Sequence, residues 1–194
     1  MRNTTARLRR RLVFAGLSLA VIAGCASPPR IDAVAEGPSF DRTGRFALLV
    51  EHQRGERDAV QGGFAWRDTQ GQQWLDLANP LGSTLARIEV RLGRAILTRS
   101  DGTTDTAPHA DALVEQVLGS PIPVDGLRDW LRGRLAPGSA EQVRRGADDH
   151  LERFTQNGWQ VELSRYDELG PRLLRLRRAE AGRDISLRLV IDGQ

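Results

Sequence analysis

The feature that most constrains this chain is a change of period. From Gly44 onward apolar residues alternate with polar ones, the pattern of half-buried strands; once, between residues 110 and 131, the repeat becomes helical. Phe46, Leu48 and Val50 alternate, and so do Phe64 and Trp66 after Gly62-Gly63, a pair suited to a bulge or tight bend. Trp74 to Ala78 and Thr84 to Leu92 follow, the second with Ala86, Ile88 and Val90 on one face. Ala95 to Arg99 lies between the turn signals Gly93-Arg94 and Asp101-Gly102, and Asp-Gly is a hairpin cue. Ala110, Leu113, Val114, Val117 and Leu118 then form one helical stripe, opened by Pro108, capped by Gly119 and stopped by Pro121. A second helix is expected from Asp125, as N-cap, to about Arg132, with Leu127, Trp130 and Leu131 on one side. After the loop at Pro137-Gly138-Ser139, strands resume around the Asn157-Gly158 hairpin signal. They carry Trp159, Val161 and Leu163, then Leu174 and Leu176, then Ile185, Leu187, Leu189 and Ile191. This spacing predicts a mainly β (α+β) chain, one wide antiparallel sheet with two helices inserted mid-sequence. A sheet of roughly ten strands curls or splits, so a curved or partly closed barrel is expected. Two short helices cannot cover its whole concave face. Alternation alone leaves open whether that face packs solid or keeps an apolar cavity.

The start of the chain is of another kind. Arg2, Arg7, Arg9, Arg10 and Arg11 precede an apolar run from Leu12 to Ala23, and small residues lead into Cys25, the one cysteine of the chain. A charged segment, an apolar segment and small residues before a cut make a secretory signal peptide. The apolar run is shorter than the ~20 residues that span a bilayer. Val21-Ile22-Ala23-Gly24-Cys25 resembles the bacterial lipoprotein signal, in which the thiol is diacylated, the chain is cut before the cysteine and the new amine is acylated. Residues 1–24 are thus expected to be removed. Residues 25–39, with Pro28, Pro29 and Pro38, are expected to form a flexible tether, and 40–194 the folded domain. Ala26 after the cysteine favours the outer membrane. Arg9-Arg10-Arg11-Leu12 reads as an ordinary basic segment rather than a twin-arginine signal.

Removing the signal also removes the positive charge. Five of the 28 basic residues precede Cys25 and none of the 25 acidic ones do, which leaves 23 against 25, a net of −2 on the remaining 170 residues. Nucleic-acid binding is therefore not expected. His52, His109 and His150 lie far apart, without metal-ligand spacing, and read as solvated side chains. No nucleophile elbow, phosphate loop or dinucleotide fingerprint is present, the cysteine is taken by lipid, and Asp148-Asp149 reads as a solvated turn. No enzyme, metal or cofactor is expected.

One loop stands apart. Asn79-Pro80-Leu81-Gly82-Ser83-Thr84 places an apolar residue at the tip of a polar turn. From its residues alone, Leu81 is expected to fold back onto the core. With this loop the chain resembles the LolB family of outer-membrane lipoproteins. The resemblance rests on the cysteine signal, Gly44-Arg45-Phe46, Phe64-Ala65-Trp66, "NPLGST" at 79–84, "LGSPIPVDGLRDWLRG" at 118–133, "QNGW" at 156–159 and "VIDGQ" at the end. It departs from the family in the compact tail from Arg172 to Gln194.

The resemblance implies an open, incomplete β-barrel of LolA/LolB type, helices over its concave side, and an apolar cavity for acyl chains. It implies a monomer, lipid-anchored by Cys25 on the periplasmic face of the outer membrane. Its expected partners are a LolA-like periplasmic carrier, triacylated lipoprotein cargo and outer-membrane phospholipid. It further implies that Leu81 is exposed and takes part in membrane insertion. On this reading the cavity lining would come from Phe46, Leu48, Phe64, Trp66, Ile88, Val90, Leu113, Val117, Leu127, Trp130 and Leu131. The alternative is a scaffold lipoprotein with a packed β core and no acyl site.

Overall fold

The computed structural model describes residues 39–193 apart from 92 and 181; the expected signal peptide, Cys25 and residues 25–38 of the tether lie outside the described residues. Eleven strands form: β1 (Phe40–His52), β2 (Arg57–Thr69), β3 (Gln72–Ala78), β4 (Thr84–Arg91), β5 (Arg94–Arg99), β6 (Thr104–Ala107), β7 (Glu141–Arg145), β8 (Leu151–Gln156), β9 (Trp159–Asp167), β10 (Gly170–Glu180) and β11 (Arg183–Ile191). Two helices, α1 (Ala110–Leu118) and α2 (Val124–Trp130), lie between β6 and β7 in sequence.

All eleven strands belong to one sheet, ordered β6-β5-β4-β3-β2-β1-β11-β10-β9-β8-β7, with each neighbouring pair antiparallel. Two meanders, β1 to β6 and β7 to β11, are joined where β1 pairs with β11 from Gly44↔Ile191 to His52↔Arg183. The sheet does not close, because β6 and β7 are its two edges. The expected open antiparallel architecture with two inserted helices is what forms.

Alternation places the core. Phe46, Leu48 and Val50 of β1, Phe64 and Trp66 of β2, Ile88 of β4, Leu97 of β5, Phe154 of β8, and Leu174 and Leu176 of β10 turn to one side and are buried in a single cluster. Leu113 and Val114 of α1 and Leu127 and Trp130 of α2 complete it. Gly119 ends α1 in the left-handed region (φ 69°), its N–H donating to the Glu115 carbonyl at 2.8 Å. Asn157 and Gly158 both take positive φ (51° and 77°), as a two-residue type I′ hairpin requires.

Two expectations are corrected. Gly62-Gly63 is not a bulge, since β1 and β2 keep unbroken register through Arg45↔Gly63 and Phe46↔Gly62. Gly62 is glycine because a Cβ there would lie 2.0 Å from the Ala78 carbonyl oxygen and 3.0 Å from the Phe46 ring. Gly44, opposite Phe64, is crowded in the same way. The two strands thus exchange glycine for phenylalanine, each ring lying over the other strand's bare backbone. The second helix begins at Val124 with Pro123 as its N-cap, which puts Asp125 in the first turn rather than at the cap. The two edge strands, which the sequence did not announce, carry no alternating apolar stripe; every residue of β7 is exposed, as suits an edge protected by charge.

Candidate functional site

The β3–β4 loop is built around Asn79. Its Oδ1 accepts from the N–H groups of Leu81 (2.9 Å) and Ser83 (3.0 Å). The backbone closes the same turn: Gly82 N–H donates to the Asn79 carbonyl and Asn79 N–H to the Ser83 carbonyl, both at 2.9 Å. Pro80 fixes its own φ, and Gly82 supplies the positive one (90°). The loop satisfies its own polar groups, and nothing in it draws Leu81 inward. The Leu81 side chain is 93% exposed, with Leu85 partly exposed beside it on β4. This corrects the fold-back expected from the residues alone and agrees with the exposure the resemblance implies.

The residues expected to line a cavity are brought together on the inner face. Phe46, Leu48, Phe64, Trp66, Ile88, Leu113, Leu127, Trp130 and Leu131 are buried in the one core, and Val90 and Val117 pack against it half-buried. In this structure the face is filled by its own side chains. Trp66 Nε1, within that core, has no hydrogen-bond partner among the described residues. Two surface hollows, of about 590 and 300 Å³, are polar; the first is bordered by Arg144, Arg153, Glu162 and Arg175, the second by Asp68, Arg128 and Arg132. Neither touches an expected lining residue.

Side chains that the sequence did not single out hold the helical cover down. Asp68, buried on β2, accepts from Arg128 Nε (2.9 Å), Arg128 Nη2 (2.9 Å) and Arg132 Nη2 (2.7 Å), which ties α2 and the residues after it to the sheet. The Arg132 guanidinium also lies 3.9 Å from the centre of the Phe40 ring. On the other side, Gln156 of β8 accepts from Trp130 Nε1 and Ala136 N–H, both at 3.0 Å, and donates to the Ala136 carbonyl at 2.7 Å. Trp130 meets Phe154 edge to face at 5.7 Å. Polar residues at inward positions of a strand were the legible sign: Asp68 follows the phase of Phe64 and Trp66, and Gln156 that of Phe154.

At the end of the sheet where β1 begins, Arg42 is buried and forms two hydrogen bonds to Asp167, both 2.8 Å. That pairing, helped by the N–H groups of Leu169 and Gly170, holds the Asp167 carboxyl down at about 2. Burial pushes the Tyr166 phenol up to about 12 while its hydroxyl donates to the Leu151 carbonyl at 2.5 Å. His52 pairs with Asp58 (3.0 Å), and His150 stacks on Tyr166. Among the described residues no group of three His, Cys, Asp or Glu side chains could hold a metal ion, and no helix is long and apolar enough to cross a membrane.

Fold and site together define a class: a mostly β domain with one open sheet, a helical cover tied over its apolar face, and an outward-pointing leucine on a rigid loop. Residues 38–193 match the family described as "Outer membrane lipoprotein LolB". The chain is 56% identical over 176 residues to the "Outer-membrane lipoprotein LolB" of Bordetella pertussis, covering 90% of this chain and 88% of that one. It is 39% identical over 184 residues to the protein of the same name from Cupriavidus metallidurans, covering 88% and 89%. The LolA superfamily protein NE2245 from Nitrosomonas europaea superposes with a TM-score of 0.39 at 8% identity, over 79% of this chain and 87% of that one, too distant to carry weight. The chain belongs to the LolB family. It is an outer-membrane lipoprotein with a role in lipoprotein localisation, and not an enzyme.

Proposed function

We propose that this protein accepts acylated lipoproteins from a soluble LolA-like periplasmic carrier and inserts them into the inner leaflet of the outer membrane. Cys25 is the acylated anchor, and the protein acts as a monomer. Leu81 is the group that enters the bilayer, and the observation that carries the reading is its display. An apolar side chain held 93% exposed by a self-satisfied turn has no use inside this fold. Each buried CH₂ is worth ~0.8 kcal/mol, so a triacylated cargo needs apolar cover at every stage of its passage. Phe46, Leu48, Phe64, Trp66, Ile88, Val90, Leu113, Val117, Leu127, Trp130 and Leu131 supply that cover once α1 and α2 lift, since the face is closed by them at rest. The unpartnered Trp66 N–H is a donor that an ester carbonyl of the cargo would satisfy.

Leu81→Glu tests the reading. It should leave uptake of labelled lipoprotein from the carrier intact while lowering delivery to outer-membrane vesicles, because a carboxylate resists entering lipid. Delivery at the wild-type rate would remove Leu81 from the mechanism. The packed inner face is also what a scaffold lipoprotein without an acyl site would have. Photo-crosslinkers replacing Trp66 and Trp130 separate the two: labelling of a triacylated lipoprotein supports transfer, and its absence supports the scaffold.

A further inference from the structure

The outward face of the sheet carries charge that the fold does not use. Along one row across the strands stand Arg153 of β8, Glu162 of β9, Arg175 of β10, Arg188 of β11 and Ala47 of β1, in register. Glu162 accepts from Arg153 at 2.6 Å. Arg175 and Arg188 then face each other directly, two like charges on neighbouring strands, an arrangement that weakens a sheet. Arg177, opposite Ser186, and Arg45, opposite Val190, flank them on the same face. All four of these arginines are exposed, and none makes an ion pair among the described residues, where most other arginines of the sheet do. With strands ~4.8 Å apart and alternate residues ~6.6 Å apart, the four guanidinium groups share a patch ~15 Å across.

We propose that this patch, Arg45, Arg175, Arg177 and Arg188, binds the surface of an anionic phospholipid bilayer. The four charges stand on three adjacent strands, with half-buried Leu49 and Val190 between them, and no buried polar side chain is aimed among them. Such a patch matches a charged plane rather than a single bound molecule. Its position favours lipid over an acidic protein. The row through Arg188 and Ala47 meets β2 at Gln61, just beyond the Gly63↔Ala78 pair from which the Leu81 loop leaves. The Leu81 loop therefore leaves β3 at the level of the patch along the strands, with only β2 between β3 and the patch's nearest strand, β1. The choice of lipid rests on the Leu81 reading; the charge patch itself does not.

The test uses the mature chain made unacylated by Cys25→Ala, sedimented with phosphatidylcholine vesicles with and without phosphatidylglycerol, at low and high salt. Binding should be on the order of a hundredfold stronger to the anionic vesicles and fall with salt, because each of the four basic residues near an anionic surface adds about fivefold. Arg175→Gln/Arg177→Gln/Arg188→Gln should weaken that preference at least tenfold while retaining the wild-type melting curve, and Arg188→Gln alone should weaken it less. Leu81→Gln, which removes the apolar tip without adding charge, should lower binding to both kinds of vesicle and leave the ratio between them unchanged, so failure of the loop reading is seen apart from failure of the patch. Equal binding of the wild type to neutral and anionic vesicles, or an unchanged preference in the arginine variants, overturns the proposal. Binding to polyglutamate without binding to anionic vesicles overturns it in favour of an acidic protein.

Discussion

Gln156→Leu is expected to be among the most damaging single substitutions outside the apolar core. The leucine fills nearly the same space but removes one acceptor that serves two donors, Trp130 Nε1 and Ala136 N–H, and one donor that serves the Ala136 carbonyl. Residue 156 is 2% exposed, so water does not replace what is lost. Each stranded buried group costs about 1–3 kcal/mol, and three of them, less a little gained from the leucine, give about 3–5 kcal/mol. For a domain of this size that lowers Tm by roughly 6–20 °C. Urea unfolding followed by tryptophan fluorescence measures it. A cycle with Trp130→Phe isolates one group: phenylalanine has no N–H to strand, so the double variant should recover about 1–2 kcal/mol of the sum of the single losses. A loss below about 1 kcal/mol for Gln156→Leu, or strict additivity in the cycle, would falsify the claim that this side chain pins the end of α2 to β8.

Two neighbouring glycines should behave oppositely. Gly62→Ala drives a methyl group into the Ala78 carbonyl and the Phe46 ring, costing about 2–3 kcal/mol, whereas at Gly63 the nearest atoms lie 3.8 Å away and alanine should be nearly neutral in the same denaturation assay. Acid stability should depend on Asp167. Its folded-state value of about 2 lies below the ordinary ~3.9, so the unfolded chain binds the proton first; the stabilisation is present above about pH 4 and is lost as pH falls toward 2. The carboxyl is 28% exposed, which trims the contribution to about 1–2 kcal/mol. Asp167→Asn should be less stable at neutral pH, with a flatter curve between pH 4 and 2, and an unchanged acid slope would refute the assignment. Tyr166 is the one tyrosine of the chain, so phenolate absorbance reports it alone. Ionisation should centre near 12 in the folded protein and fall to about 10 on unfolding; a folded midpoint near 10 would contradict its burial.

What could be read from the sequence follows from the range of the forces involved. Side-chain alternation is set within a few residues, so Phe46 to Val50, Trp159 to Leu163 and Ile185 to Ile191 announced themselves, as did the helical stripe from Ala110 to Leu118. The edges did not, because Thr104–Ala107 and Glu141–Arg145 have no apolar face to reveal them. Gly62 was misread because its reason is Phe46, sixteen residues away in sequence and opposite only once β1 and β2 pair. Asp68 and Arg128 are sixty residues apart, and neither alone hints at the tie between them. Leu81 shows the limit in the other direction: all the bonds that display it lie between Asn79 and Ser83, yet composition could not tell a loop that points outward from one that folds back.

The place where the chain enters the fold has a mechanical consequence. Phe40 begins β1 beside Asp68, at the far end of the sheet from the Leu81 loop, which leaves β3 near the level of Phe46. At ~3.3 Å per residue those levels are ~20–25 Å apart. Between Cys25 and Ser39 the backbone can stretch to at most ~50 Å. An anchor at Cys25 and an apolar tip at Leu81 can share one bilayer only if about half of that leash is spent running back along the body. Under the proposed function, that contour length bounds how far the domain could stand from an anchored Cys25 while Leu81 still reached the same membrane.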